Sequence, residues 1–175
     1  ALAFKLTPHA RAVSPPAAVT ARVARAFLDS DGDLPVTMEA LVDSDEAWAL
    51  PLVKFRRPED YLIALLRSLN LTTLPQGAVT ASLTTLGQRP YAPPGPDGWD
   101  DTEAGWMGAD LIWKRVEYAS ALAERVARAD VDATALAQAA LGPLLTTDTL
   151  QALQRAESPA QALTLFFASP DMQRR

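Results

Sequence analysis

There is no cysteine in the 175 residues, and only one histidine, His9. The first absence removes disulfides, thiolate nucleophiles and cysteine-ligated metals from this chain. The second removes any histidine-pair metal site, since a catalytic zinc takes three protein ligands. Neither absence fixes a cellular compartment. No apolar run approaches the roughly 20 residues needed to span a bilayer as a helix, and the longest, Tyr61 to Leu66, reads as a buried helix turn. Positive charge is also in short supply. Sixteen Lys and Arg stand against 21 Asp and Glu, a net charge of −5, which argues against nucleic acid as the main partner. The small basic cluster Lys54, Arg56 and Arg57 reads as a solvated helix start.

Strand patterning is missing too: no segment alternates apolar and polar residues between turn signals. What is there reads as helix, and the prolines and serines mark where each helix begins. Ala1 to Leu6 reads as the end of a helix, closed by Pro8. Ser14, Pro15 and Pro16 open the next one, with Val19, Val23, Ala26 and Phe27 on one stripe. Asp33 caps a third, whose buried side is expected to be Val36, Met38, Leu41 and Val42. Ser44 to Trp48 forms a continuation or a short turn. Pro58 starts a helix with Tyr61, Leu62, Leu65, Leu66 and Leu69 on its core face and Ile63 widening it. Pro75 to Leu86 carries Val79, Leu83 and Leu86 and stops at Gly87. The longest helix runs from about Ala109 to Ala129. Leu111, Ile112, Val116, Ala119, Leu122 and Val126 follow one broad face, with Trp113 and Tyr118 beside it. Asp132, Thr147, Ser158 and Ser169 cap the last four, the Ser158–Gln161 pair as a capping box. The expectation is a single all-α domain over residues 1–175. It would be an irregular bundle of about eight or nine helices around those that begin at Pro58 and Ala109.

One stretch is not helix. Leu86 to Trp106, LGQRPYAPPGPDGWDDTEAGW, holds four of the fourteen prolines, four of the eight glycines and two of the four tryptophans. Proline stiffens such a backbone and glycine lets it reverse. The Gly87–Trp106 loop is expected to lie across the core. Tyr91, Trp99 and Trp106 offer apolar faces with polar edges. Asp97, Asp100, Asp101 and Glu103 surround Trp99, and paired carboxylates beside an aromatic platform suit a carbohydrate. Tyr91, Asp97, Trp99, Asp100, Asp101 and Trp106 are therefore the candidate ligand-binding residues. The competing reading has Trp99 plugging the core and the acids capping the helices that follow.

Other chemistry is thinly represented. Asp29, Ser30, Asp31, Gly32 and Asp33 open like a calcium loop, but Leu34 and Ala40 stand at the sixth and twelfth positions, where glycine and glutamate belong. A polar turn ending in a helix cap fits better. His9 is a possible acid or base. No glycine-x-serine-x-glycine elbow and no phosphate-cradling glycine loop occur. No catalytic residue, metal or cofactor is expected.

Four segments, in order, carry a resemblance. Lys5, Leu6, His9, Pro15 and Pro16 come first. Phe27, Ser30, Gly32, Asp33 and Leu34 follow, continued by Leu41, Ser44, Glu46 and Trp48. The run LGQRPYAPPGPDGW with Trp106 seven residues on is the third, and Ser169, Pro170, Gln173, Arg174 and Arg175 the last. Together they resemble the bacterial domain-of-unknown-function 1800 family. Ala10 and Met172 stand where that family often has phenylalanine. The resemblance implies the C-terminal portion of a longer, exported protein, and no activity. The function expected is a helical scaffold and interaction module for the missing N-terminal region or a partner protein. The alternative is a glycan-binding or carbohydrate-active site on the Gly87–Trp106 loop.

Overall fold

Serine, threonine and aspartate side chains start five of the helices. In the computed structural model, which describes residues 16–48, 54–100 and 102–174, Asp33 Oδ1 accepts the Val36 N–H at 3.0 Å. Asp132 Oδ1 accepts from Thr134 and Ala135. Ser158 Oγ accepts from Gln161, whose own Oε1 reaches back to the Glu157 N–H. Ser169 Oγ accepts from Met172. Each satisfies a donor that the first turn of a helix leaves unpaired. One cap differs from expectation by a residue: Thr146, not Thr147, accepts from Thr149. The expectations placed on Ala1 to Pro15 and on Asp101 and Arg175 lie outside the described residues, and His9 with them.

Ten α-helices result among the described residues: α1 Ala17–Asp29, α2 Leu34–Val42, α3 Asp45–Trp48, α4 Pro58–Ser68, α5 Ala78–Thr85, α6 Ala109–Val126, α7 Ala133–Leu141, α8 Thr147–Gln154, α9 Pro159–Ala168 and α10 Pro170–Gln173. Eight of them have eight residues or more, and α3 and α10 are single turns. No strand occurs among the described residues, only two isolated single-pair bridges, Phe55 with Arg174 and Gly95 with Gly98. The fold is all-α. The chain divides into two compact units, residues 1–54 and 55–174.

In the first unit α1 packs on α2 through Val19, Val23 and Leu41. The polar turn between them is closed by Gly32, at φ +88°, whose N–H donates to the Phe27 carbonyl. The carboxylate of Asp33 is occupied as the α2 cap, so this stretch is helix-joining chemistry. Of the four residues expected on the buried side of α2, only Leu41 is buried. Val36, Met38 and Val42 are exposed, and Thr37, Leu41 and Ser44 are buried. Burial follows spacing here rather than hydrophobicity. Residues four and three apart share a face, and the Thr37 and Ser44 hydroxyls donate to the Asp33 and Ala40 carbonyls one turn back, which makes them inexpensive to bury.

In the second unit one core joins α4 to α9. It contains Tyr61, Leu62 and Leu65 of α4, Leu83 and Leu86 at α5, Ala119 and Ala123 of α6, Ala137 and Leu141 of α7, Leu153 of α8, and Leu163, Phe166 and Phe167 of α9. The α6–α9 pair makes the most extensive contact, because Ala119 and Ala123 let the Phe166 and Phe167 side of α9 approach closely. Ile63, Val79, Trp113 and Val116 are exposed rather than buried. In α6 the fully buried stripe is Arg115, Ala119 and Ala123, one step round the helix from the larger apolar residues.

α5 ends in a two-bond C-terminal lock. Gly87 N–H donates to the Thr84 carbonyl and Gln88 N–H to the Leu83 carbonyl, with Gly87 at φ +90°. A Cβ there would stand 2.7 Å from Leu111 Cδ2. Gly77, at the other end of α5, also has positive φ, but nothing lies within 4 Å of its Cβ position. Gly87→Ala is therefore expected to destabilise by about 2 kcal/mol or more, and Gly77→Ala by about 1 kcal/mol. Urea unfolding of the two variants, read by circular dichroism, checks the ranking.

Candidate functional site

The Leu86–Trp106 segment is anchored at both ends. Leu86 and Gln88 are buried at one end and Trp106 at the other. Gln88 Oε1 accepts the Glu59 N–H at 2.9 Å, and so supplies from a distance the cap that α4, entered through Pro58, lacks locally. The middle of the segment is not buried. Pro93, Pro94, Pro96 and Asp97 are exposed, and Tyr91 stands fully in solvent. The expected loop across the core is thus an exposed arch on two buried footings.

Of the six candidate ligand-binding residues, three come together. Trp99 and Trp106 lie 5.8 Å apart, centroid to centroid, tilted by 40°. The Trp106 indole N–H donates to the Asp100 carbonyl at 2.7 Å. The Asp100 carboxylate turns back on its own chain, accepting the Thr102 N–H at 2.8 Å and the Thr102 hydroxyl at 2.7 Å. This is an Asx turn, which explains why an irregular stretch holds its shape without a helix. Gly105 is needed for the same packing, since a Cβ would meet Asp100 Oδ2 at 2.5 Å. Trp99 is half-buried against Trp106. Asp97 sits in the reverse turn in which Gly98 N–H donates to the Gly95 carbonyl. Asp101 and His9 are outside the described residues. Among the described residues no group of three or more histidine, cysteine, aspartate or glutamate side chains could hold a metal ion.

A second polar centre lies nearby in sequence order but deep in the unit, and sequence reasoning missed it. Arg115 of α6 is 1% exposed, and no carboxylate pairs with it among the described residues. One arm of the guanidinium donates to Gln173 Oε1 and the other to the Arg56 carbonyl, both at 2.7 Å. Its carbon stands 4.4 Å from the Phe55 ring centroid and 5.2 Å from that of Tyr61, so aromatic faces take the place of a counter-ion. The Nε–H finds no acceptor among the described residues. Burial pushes the guanidinium's pKa down to about 10, partly offset by Tyr61 and by the Asp60 carboxylate; it stays charged at neutral pH.

The same centre gathers the chain's end. Arg56 N–H donates to the Gln173 carbonyl at 2.8 Å, and the Arg56 guanidinium to the Met172 carbonyl at 2.9 Å. Phe55 bridges Arg174, whose guanidinium is 3.3 Å from Glu103 Oε1. Met172 is buried and so serves as a core side chain. The Tyr61 hydroxyl donates to the Phe167 carbonyl at 2.9 Å, and burial raises its pKa strongly. Lys54, Arg56 and Arg57, expected as a solvated cluster, are buried or half-buried. The available signal was the placement of Arg115 four residues before Ala119 and eight before Ala123, inside an apolar stripe.

No curated protein and no solved structure matches the chain. The family model described as "Protein of unknown function (DUF1800)" matches residues 1–174. The chain belongs to that family.

Arg115→Lys keeps the charge but loses the planar fork, and is expected to destabilise by about 2–4 kcal/mol. Gln173→Glu sets a carboxylate against the guanidinium and is expected to raise the melting temperature at pH 7. The paired carboxyl's pKa would fall below its unfolded value, so the gain is present above that value and disappears on acidification. Melting curves at pH 7 and below pH 4 check both. Tyr61 has the opposite sign. Its folded pKa is raised from 10.0, so its contribution is complete below pH 10 and is lost as pH climbs further. One of the three tyrosines should ionise only together with unfolding, seen as a step in phenolate absorbance that coincides with loss of helical signal.

Proposed function

We propose that this member of the DUF1800 family is a helical scaffold and interaction module, offering its surface to another segment of the same protein or to a partner protein. The observation that carries this reading is the inward use of the loop's polar groups. Asp100 holds Thr102, Trp106 holds the Asp100 carbonyl, and Glu103 holds Arg174. A carboxylate engaged in this way shapes the chain, and to serve as a general acid or base it would first have to leave the turn it stabilises. The outward groups suit contact more than chemistry. Trp113 on α6 is 62% exposed, and Tyr91, Met107 and Leu71 are exposed as well. Large aromatic and apolar side chains of this kind anchor protein interfaces.

One observation favours the second reading, a glycan-binding site on the same loop. Trp99 is only half-buried and Asp97 and Tyr91 are open to solvent, so an aromatic edge with acids beside it remains available to a sugar ring.

Intrinsic tryptophan fluorescence separates the two. Titration with a panel of oligosaccharides is expected to give no saturable change, while Asp100→Ala, which removes the Oδ1 acceptor, is expected to lower stability by about 1–2 kcal/mol through loss of the turn. A saturable response that Trp99→Ala abolishes, with the fold intact by circular dichroism, would replace the scaffold reading with the glycan one.

A further inference from the structure

α5 and α6 leave a cleft of about 440 Å³ between them, walled by Ala78, Ala81, Ser82 and Thr85 on one side and by Glu117, Tyr118, Ala121, Leu122 and Arg125 on the other. Small side chains normally let two helices close up. Here the Tyr118 hydroxyl donates to Ser82 Oγ at 2.9 Å, and that bridge props the walls apart. Whatever fills the cleft must bring its own backbone hydrogen bonds, because both walls are helices whose backbone groups already pair within the helix. An extended peptide laid there would leave its N–H and C=O groups unsatisfied, and a helix would not.

The charges on α6 say which helix. Glu117 stands four residues before Ala121 and Arg125 four residues after it, each about 6 Å along the axis. Both are exposed, and neither makes an ion pair among the described residues. A two-fold axis through Ala121 places Glu117 of one copy against Arg125 of the other, and the reverse, with two alanines at the crossing. This face is therefore complementary to itself, as a two-fold interface must be. One turn further out Lys114 of one copy meets Arg128 of the other. Lys114 is held by Asp110 at 3.5 Å, and the like charges there confine the contact to about two turns.

We propose that the α5–α6 face is the interface of a homodimer, formed by antiparallel packing of α6 on its symmetry mate, with reciprocal Glu117–Arg125 pairs across Ala121. This rests on the interaction-module reading and names its partner as a second copy of this chain.

The test is sedimentation of the full chain between about 1 and 500 µM, with circular dichroism as the folding control. The native chain is expected to self-associate. Glu117→Arg and Arg125→Glu should each weaken association at least tenfold by setting like charges together twice. The double reversal Glu117→Arg with Arg125→Glu should restore it to within about threefold. All these positions are exposed, so the fold should survive. A native chain that stays monomeric throughout, single reversals without effect, or a double reversal that fails to restore association each overturns the proposal. A monomer would leave the scaffold reading standing, because that reading is decided by the oligosaccharide titration.

Discussion

The second unit depends on how one buried guanidinium is accommodated. Arg115 carries a full charge into the core beside α4 and α10, and among the described residues no carboxylate hydrogen-bonds to it, although the Asp60 carboxylate acts on it through space, so the fold provides neutral acceptors and aromatic faces as its direct partners. It takes them from places far apart in sequence: Arg56 and Phe55 ahead of α4, Tyr61 within it, and Gln173 at the chain's end. A planar fork with fixed donor directions accepts few arrangements of such groups. Burying a charge this way is a poor means of gaining stability and a good means of excluding alternatives. A C-terminal segment that slipped by one residue would leave one arm of the guanidinium without its Gln173 acceptor.

Neighbouring features follow from that arrangement. Once Gln173 is placed, its carbonyl meets the Arg56 N–H, Met172 enters the core, and Arg174 reaches Glu103. Glu103 belongs to the turn that carries Trp106, so the arch between α5 and α6 is tied to the same clasp. At the other footing Gln88 caps α4. The family-like residues of this chain can thus be understood physically. In LGQ, Leu86 fills the core, Gly87 provides the left-handed stop and Gln88 the remote cap. In the closing segment, Ser169 starts α10, Gln173 holds Arg115 and Arg174 holds the arch. In the first unit Gly32 and Asp33 end one helix and begin the next.

Element existence was legible in the chain, because helix starts and stops are local. A serine or aspartate two or three residues before an N–H it can accept needs no tertiary context, and Gly87 announces its left-handed turn by lacking a Cβ. The faces were less legible. Val36, Met38, Val42, Ile63 and Val116 look like core and lie exposed, while Thr37, Ser44 and Arg115 look like surface and lie buried. Hydrophobicity biases burial, but a helix presents only one face to its neighbour, and a polar group that finds a partner can occupy it. The arch shows the same limit. Its stiffness was readable from proline and glycine, but the direction in which Asp100 turns was not.

The sequence by itself determined that this chain is helical, where most helices begin and end, and that its single irregular stretch would be stiff and aromatic. Those are properties of backbone preference, capping and spacing, each settled within a few residues. Only the tertiary structure decided which side of each helix is hidden and that a lone arginine gathers both ends of the second unit. Those outcomes turn on groups more than fifty residues apart, Arg115 with Arg56 and with Gln173, and no local pattern records which distant acceptor a buried donor will find.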